Sequence, residues 1–545
     1  MKKWLIIDQS NNKVPQSPEA ILKTLLANRG LMSPKEINDF TDPPFPSKLT
    51  ENEVGIEKEQ INKAVKRIKE AIKNEEKIIV YGDYDSDGVC ATAILWSTLY
   101  SLGAKVIPFI PQRDEGYGLK TEKIEGLHKE GVTLIITVDH GIVASQQVEM
   151  AKEIGVDVII TDHHLSGEKI PPALAVVHSL KLSGAGVSWF LANKFQDPGL
   201  ELVTIGTVCD MMPLIGPNRS IVKYGLDSLR QTKKKGLTSL FNIAGIQQEK
   251  IGTYEIGFLI GPRLNAAGRM KDPMQALRLL CTNNEVKAME YAAEIDQQNK
   301  ERQLLTTQMT LHARDLWLKD PKGKLIFVSH ETYEEGIVGL VAGKLTEEFY
   351  RPSIVVSKGE EYCRASARSI SGFNIVEAIR TCSDILGPHG GHALAAGFTI
   401  ETGKLEIIKE RLIQLAEESI KEEQLSPVLK IDLELPFSQL NLELLRSIEN
   451  FEPFGFGNPE PVFVTLGFTV LETRFVGSEG KHLKLRLADP DSGLIFDAIG
   501  FGLTKSFPEL GRQDKIDVAY NLIMDNWNNN QKVQLRIKDM QKRNG

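Results

Sequence analysis

The chain has 545 residues, 41% of them apolar and 25% charged, with a formal net charge of −7; length on this scale builds three or four domains with separate cores. No apolar stretch reaches the roughly 20 residues a membrane helix needs, Met1-Lys2-Lys3-Trp4-Leu5 turns polar too soon for a secretory signal, and five scattered cysteines without a CxxC pair argue against a disulfide framework or a thiolate zinc site, so a cytoplasmic protein with no membrane partner is expected. The negative charge also argues against a broad basic surface, so any nucleic-acid contact must come from local clusters and bound cations.

Residues 1–50 combine a helical pattern at 20–27 with proline punctuation at 42–46, and read as a lead-in packed on the first domain. From Ile61, apolar Ala64, Val65, Ile68, Ala71 and Ile72 recur at helical spacing, giving an amphipathic helix. The β-branched run at 77–80 then enters Tyr81-Gly82-Asp83-Tyr84-Asp85-Ser86-Asp87-Gly88, followed by an apolar helical pattern. That is a strand, loop and helix of a parallel α/β sheet, with its acids at the carboxyl end of the strand, where such sheets hold ligands. Carboxylates at i, i+2 and i+4 repel one another and call for a divalent cation.

Two further apolar strands end in the same way. Residues 133–138 run into Asp139-His140-Gly141, and 157–161 into Asp162-His163-His164. Imidazole with carboxylate suits Mn, Zn or Fe, whereas an all-oxygen site suits Mg or Ca. Between the first and second acidic loops, a strand at 105–110 leads to a loop carrying Arg113 and Tyr117, suited to phosphate contact and stacking or simply a solvated turn. A strand at 173–177, a helix opening at Gly184-Ala185-Gly186 and an apolar lead-in to Asp210 follow. In 261–269, Arg263 and Arg269 flank Asn265-Ala266-Ala267-Gly268, either facing substrate or capping a helix.

Residues 285–320 lack Gly and Pro and predict a connecting helix, about 50 Å long at 1.5 Å per residue. A second α/β domain is expected over 321–424, with strands at 325–328 and 353–356 and a helix at 337–345. Within it, Cys363-Arg364-Ala365-Ser366-Ala367-Arg368 alternates small residues with arginines. His389-Gly390-Gly391-His392 precedes a small-residue pattern that reads as a helix whose N-terminal amides, with His392 and Arg368, meet a phosphate; a tight glycine turn is the alternative. From 425 on, β-rich runs at 462–465, 482–487, 495–499 and 533–537 suit a small barrel of the OB type.

The ordered set GDYDSDG, DHG, TDHH and GTVCD resembles the DHH phosphoesterase superfamily, and GPRLNAAGR, GGHALAAG and FGFGNPEP are similar to motifs of its RecJ family of single-strand-specific 5'→3' exonucleases. The resemblance implies a DHH catalytic domain over 51–284, the connecting helix 285–320, a DHH-associated (DHHA1) domain over 321–424 and an OB-type single-strand-binding barrel over 425–545. It implies two divalent ions, Mn2+ or Mg2+, held by Asp85, Asp87, Asp139, His163 and Asp210, with Asp139 bridging. His164 would hold the scissile phosphate or protonate the leaving group, Asp83 would serve catalysis or support the ligands, and His140 would be structural. Arg113, Tyr117, Arg263, Asn265, Arg269, Ser366, Arg368, Gly391 and His392 would contact the strand. Single-stranded DNA is the implied partner, with a single-strand-binding protein and a helicase beside it. A small-substrate phosphodiesterase and a non-catalytic DNA-binding scaffold are the alternatives. One departure stands out: many superfamily members carry a ligating His at the position of Tyr81, and a tyrosine with a pKa near 10 is a poor ligand.

Overall fold

The computed structural model describes residues 2–7, 17–113, 116, 118–321, 323–525 and 531–543. They form two compact units, one of residues 45–212 with 224–427, the other of residues 1–44, 213–223 and 428–545.

The larger unit holds two sheets. The first is all parallel, in the spatial order Lys105–Phe109, Lys77–Tyr81, Val132–Val138, Asp157–Asp162, Ala175–His178. Helices cover both faces, which is why the strands read as continuous apolar runs rather than alternating ones. Numbered along the chain, the order is 2-1-3-4-5, so the topological switch point falls between Lys77–Tyr81 and Val132–Val138. Doubly wound sheets open a crevice at that point, beyond the carboxyl ends of the strands. The loops carrying Asp83 to Asp87 and Asp139 leave from those two ends.

At the opposite edge, Arg67 on the helix Lys58–Lys73 donates to Asp157 at 2.6 Å and to Glu76 at 2.6 Å, tying the amino ends of two strands to one helix. The predicted connecting helix is observed as Glu285–Leu318. The second sheet is mixed, in the order Leu386–His392, Ala395–Glu401, Tyr362–Arg368, Ser353–Lys358, Ile326–His330, and only its last pair is parallel.

One expectation fails here. Gly391 and His392 do not precede a helix: they end the first strand of a hairpin in which His392 pairs with Ala395. Gly391 adopts φ 142°, and a Cβ there would lie 2.3 Å from the Ala395 carbonyl oxygen. The glycines therefore serve close strand approach, and the small residues after them fit a tight sheet as readily as a helix.

In the smaller unit, Phe463–Val476, His482–Ala488, Ile495–Gly500, Lys532–Lys542 and Lys515–Asp525 pair in sequence around a circle that closes from Lys515–Asp525 back to Phe463–Val476. The long first strand bends at register shifts after Thr465 and Val470, which lets it pair with both neighbours. Sequence reading missed Lys515–Asp525, although Ile516, Val518, Tyr520 and Leu522 alternate into the core. The lead-in also packs differently from expectation. Lys3–Ile6 pairs with Val428–Ile431, and Ile21, Leu25, Leu26 and Phe40 share the barrel's core with Phe463, Phe468 and Leu485. Its apolar helix face needed a partner, and the barrel end supplies one. Arg219 is wholly buried there, over the Phe40 ring at 3.7 Å and bonded to the carbonyls of Phe451 and Glu452.

Candidate metal centre

Asp85 caps the helix Ser86–Ser101, its Oδ1 accepting from the amides of Asp87 and Gly88 at 2.9 and 3.0 Å. Asp87 sits in the first turn of that helix and accepts from the amides of Gly184 and Ala185 at 2.6 and 3.0 Å, at the start of the helix Gly184–Ala192. Helix N-termini favour anions for just this reason. The approach depends on missing side chains. A Cβ on Gly184 would lie 2.3 Å from Asp139 Oδ1, and one on Gly206 2.4 Å from Asp87 Oδ1. Asp139 itself has φ 66°, a strained value for a residue with a side chain. Asp210 arrives from the end of the helix Glu201–Cys209 rather than from a strand.

His163 lies between the carboxylates, with Nε2 3.1 Å from Asp139 Oδ1 and Nδ1 3.6 Å from Asp210 Oδ2. Ligand atoms of Asp87, His163 and Asp210 come within 4.8 Å of one another, as do those of Asp83, Asp85 and Asp139 and those of Asp139, His163 and His164. Asp83, expected to support catalysis, thus joins the second carboxylate group at ligand spacing.

The electrostatics bear on what these groups hold. Burial, then the Asp85 charge, pushes Asp83 up to about 8 and Asp87 up to about 7. Burial with the charges of Asp87 and Asp85 lifts Asp210 to about 9, and Asp139 rises well above the carboxylate range for the same reasons. Buried Asp83 Oδ1 has no hydrogen-bond donor among the described residues. Carboxylates so crowded cannot all ionise unless cations neutralise them. Burial, then the neighbouring His164, lowers His163 to about 4, which keeps its imidazole neutral and able to ligate. Donor set, spacing and charge fit two divalent ions.

His164 is set apart from its neighbour by Asp162, which sequence reading passed over as the lead-in to the two histidines. Asp162 accepts from His164 Nδ1 at 2.8 Å and from the amides of His163 and Ile142 at 2.7 and 2.9 Å. Burial opposes its charge, but the bond and charge of His164 together with the amides of Ile142 and His164 outweigh that and hold Asp162 at about 2. Burial would lower His164, yet the bond and charge of Asp162, with Asp83 and Asp85, raise it. A third acid at a strand's carboxyl end was the available signal. His140 is buried with Nε2 2.9 Å from the Tyr81 carbonyl, a structural place. Tyr81 packs against the rings of Phe109 and His140, and its hydroxyl donates to the Gly118 carbonyl at 3.5 Å.

The expected substrate residues divide. Arg113 lies 4.6 Å over the Tyr84 ring, and Arg269 donates to the Gly336 carbonyl at 3.0 Å. Burial, then the charge of Arg113, lowers Arg269 to about 10. Arg368 donates to Ser366 Oγ and to the Ala367 carbonyl. His392 lies close enough for its charge to depress His163, so the second domain faces the carboxylates. Two others do not stand free for substrate. Arg263 is committed to Asp296 of the long helix at 2.9 Å, because a buried carboxylate there demands a cation. Asn265 Oδ1 accepts from the Ser86 amide at 2.9 Å, bracing the acidic loop. Tyr117 lies outside the described residues.

The comparisons with known proteins agree with this geometry. The DHH family, N-terminal domain, matches residues 77–207, the DHHA1 domain matches 322–422 and the RecJ OB domain matches 431–539. The single-stranded-DNA-specific exonuclease RecJ of Bacillus subtilis is 35% identical, over 98% of this chain and 70% of that protein. Crystal structures of Thermus thermophilus RecJ superpose over 100% of this chain: the complex with Mn2+ at TM-score 0.84, 30% identity and 80% of that chain, and the complex with Mg2+ at 0.77, 28% and 79%. With three domain matches in order and similarity along nearly the whole length, this chain belongs to the RecJ family of DHH proteins.

Proposed function

We propose that the chain is a metal-dependent exonuclease that hydrolyses single-stranded DNA from its 5' end to 5'-mononucleotides, serving recombination and repair in the cytoplasm. The observation that carries the reading is the convergence of Asp83, Asp85, Asp87, Asp139, Asp210 and His163 at the switch point of the sheet, with His392 near enough to act on His163. Asp87, His163 and Asp210 would hold one ion and Asp83, Asp85 and Asp139 the other, with Mn2+ or Mg2+ in both. When bound, such ions supply an acidified water and neutralise charge at phosphorus.

The protein's own groups do the rest. Arg113, Arg269 and Arg368 hold the 5'-terminal phosphate, which sets polarity and places the first internucleotide linkage at the metal centre. His164, whose protonated form Asp162 favours, donates to a phosphate oxygen or to the departing 3' oxygen of the terminal nucleotide. The barrel adds a β platform of the kind that binds single strands. Since the strand must be unwound before it is cut, a helicase and a single-strand-binding protein are the partner classes. No described helix is long and apolar enough to cross a membrane.

Incubation with Mn2+ and end-labelled oligonucleotides tests the reading. A 5'-labelled single strand should release labelled mononucleotide from the start while duplex survives. Cleavage of dinucleotides alone would favour a small-substrate phosphodiesterase, and DNA binding without hydrolysis a scaffold.

A further inference from the structure

Two of the three ligand groups account for the pair of ions. The third, Asp139 with His163 and His164, draws one member from each of those groups and adds a second imidazole. The two nitrogens of His163 face different carboxylates, Nδ1 lying 3.6 Å from Asp210 Oδ2 and Nε2 3.1 Å from Asp139 Oδ1. The rings of His163 and His164 are 4.4 Å apart and tilted by 53°. A neutral imidazole has one nitrogen acceptor, so His163 ligates through one nitrogen or the other and not through both. An ion seated on Nε2 with Asp139 and His164 therefore excludes an ion seated on Nδ1 with Asp87 and Asp210.

His164 is prepared for ligation by the residue behind it. Asp162 accepts from His164 Nδ1 at 2.8 Å and is itself held by the amides of His163, His164 and Ile142 at 2.7, 3.1 and 2.9 Å. That bond orients the ring and puts the lone pair of the neutral imidazole on Nε2. A metal-ligating histidine almost always donates its other N–H to a carboxylate, a carbonyl or water, and the partner raises its basicity. Two imidazoles and a carboxylate, with a fourth position for water, make the donor set of a tetrahedral zinc site. Nitrogen ligands hold Zn2+ more tightly than Mn2+, and Mg2+ prefers oxygen, so this position selects against the ions of the pair.

We propose that Asp139, His163 and His164 form a third, inhibitory cation position for imidazole-preferring divalent ions such as Zn2+, which cannot be filled together with the Mn2+ or Mg2+ pair. An ion there takes Asp139 from one ligand group and His163 from the other. It also occupies the nitrogen from which His164 donates its proton. The position itself rests on side-chain geometry; that filling it stops hydrolysis rests on the nuclease reading.

Titration of the metal-free full chain with Zn2+ against a chromophoric chelator tests the position without turnover. His164→Gln should weaken Zn2+ binding at least tenfold and leave Mn2+ affinity at the wild-type value, since neither ligand group of the pair contains His164. Asp162→Asn should weaken Zn2+ binding roughly 10- to 100-fold, the usual cost of losing such a partner. In wild type preloaded with Mn2+, an equimolar amount of Zn2+ should release Mn2+, read from the free-ion signal in electron paramagnetic resonance, and His164→Gln should require at least tenfold more Zn2+. If His164→Gln lowers the melting temperature, Asp162→Asn and the wild-type release of Mn2+ decide. Equal Zn2+ affinity in wild type and both variants, or Zn2+ bound beside a retained Mn2+ pair, overturns the proposal. Hydrolysis of single strands by the Mn2+-loaded wild type should fall as Zn2+ fills the position, and undiminished hydrolysis with the position filled also overturns it. A chain that binds Zn2+ through His164 yet hydrolyses no strand under Mn2+ alone would remove the nuclease reading and leave the cation position standing.

Discussion

The carboxylates of the centre are individually ordinary, and their neighbours decide their roles. Asp162 and Asp83 are both buried, yet Asp162 is held at about 2 by its bond to His164 while Asp83 rises to about 8 beside Asp85. Asp162→Asn should therefore leave Mn2+ binding near wild type while lowering the hydrolysis rate roughly 10²-fold, the order of effect of a lost proton donor; an unchanged rate would show that His164 does not depend on Asp162. The two ligand groups also differ, since one contains an imidazole and the other carboxylates alone, with Tyr81 engaged by Gly118 rather than ligating. A tyrosine with a pKa near 10 adds no ligand to the carboxylate group, so a titration followed by electron paramagnetic resonance should show one tight and one weak site. Two equal tight sites would refute that asymmetry.

At the scale of elements, helix starts bring the acids together. The helices Ser86–Ser101 and Gly184–Ala192 aim their N-terminal amides at Asp85 and Asp87, and Gly184 lets Asp139 approach. Gly184→Ala should improve helix propensity yet displace Asp139. Mn2+ affinity should fall more than tenfold with the melting temperature held, and full Mn2+ affinity would contradict the close approach. On the other edge of the sheet, Arg67 joins Glu76 and Asp157. The Arg67 bond holds Glu76 below its usual value, so the stability it contributes is present above the unfolded pKa of about 4.3 and is lost as pH falls through the folded value. Urea unfolding between pH 7 and pH 3 should show a steeper loss for wild type than for Glu76→Gln.

For the whole molecule, the order of the parallel strands decides where chemistry sits, because only the pair flanking the switch point leaves a crevice for a ligand. In the smaller unit residues 17–44 complete the barrel rather than precede it, since Ile21, Leu25 and Phe40 lie within its core. Residues 425–545 expressed alone should bind a hydrophobic dye and unfold without cooperativity; sharp two-state melting of that fragment would show that the barrel needs no such cover.

Much of the centre was legible in the chain. Apolar β-branched runs ending in Asp or His declare both a parallel strand and the edge at which its ligands emerge, because a strand buried on both faces leaves only its end for polar chemistry. The long helix followed from the absence of Gly and Pro, and the motif order pointed to the family. Other features depend on partners remote in sequence. Arg263 was turned to structure by Asp296, Gly391 was placed in a hairpin by Ala395, and Asp83 became a ligand neighbour only when Asp139 folded beside it. Local residue type sets what a side chain can do, but charge compensation, hairpin pairing and strand order arise from contacts between distant segments, and only the tertiary structure decided those.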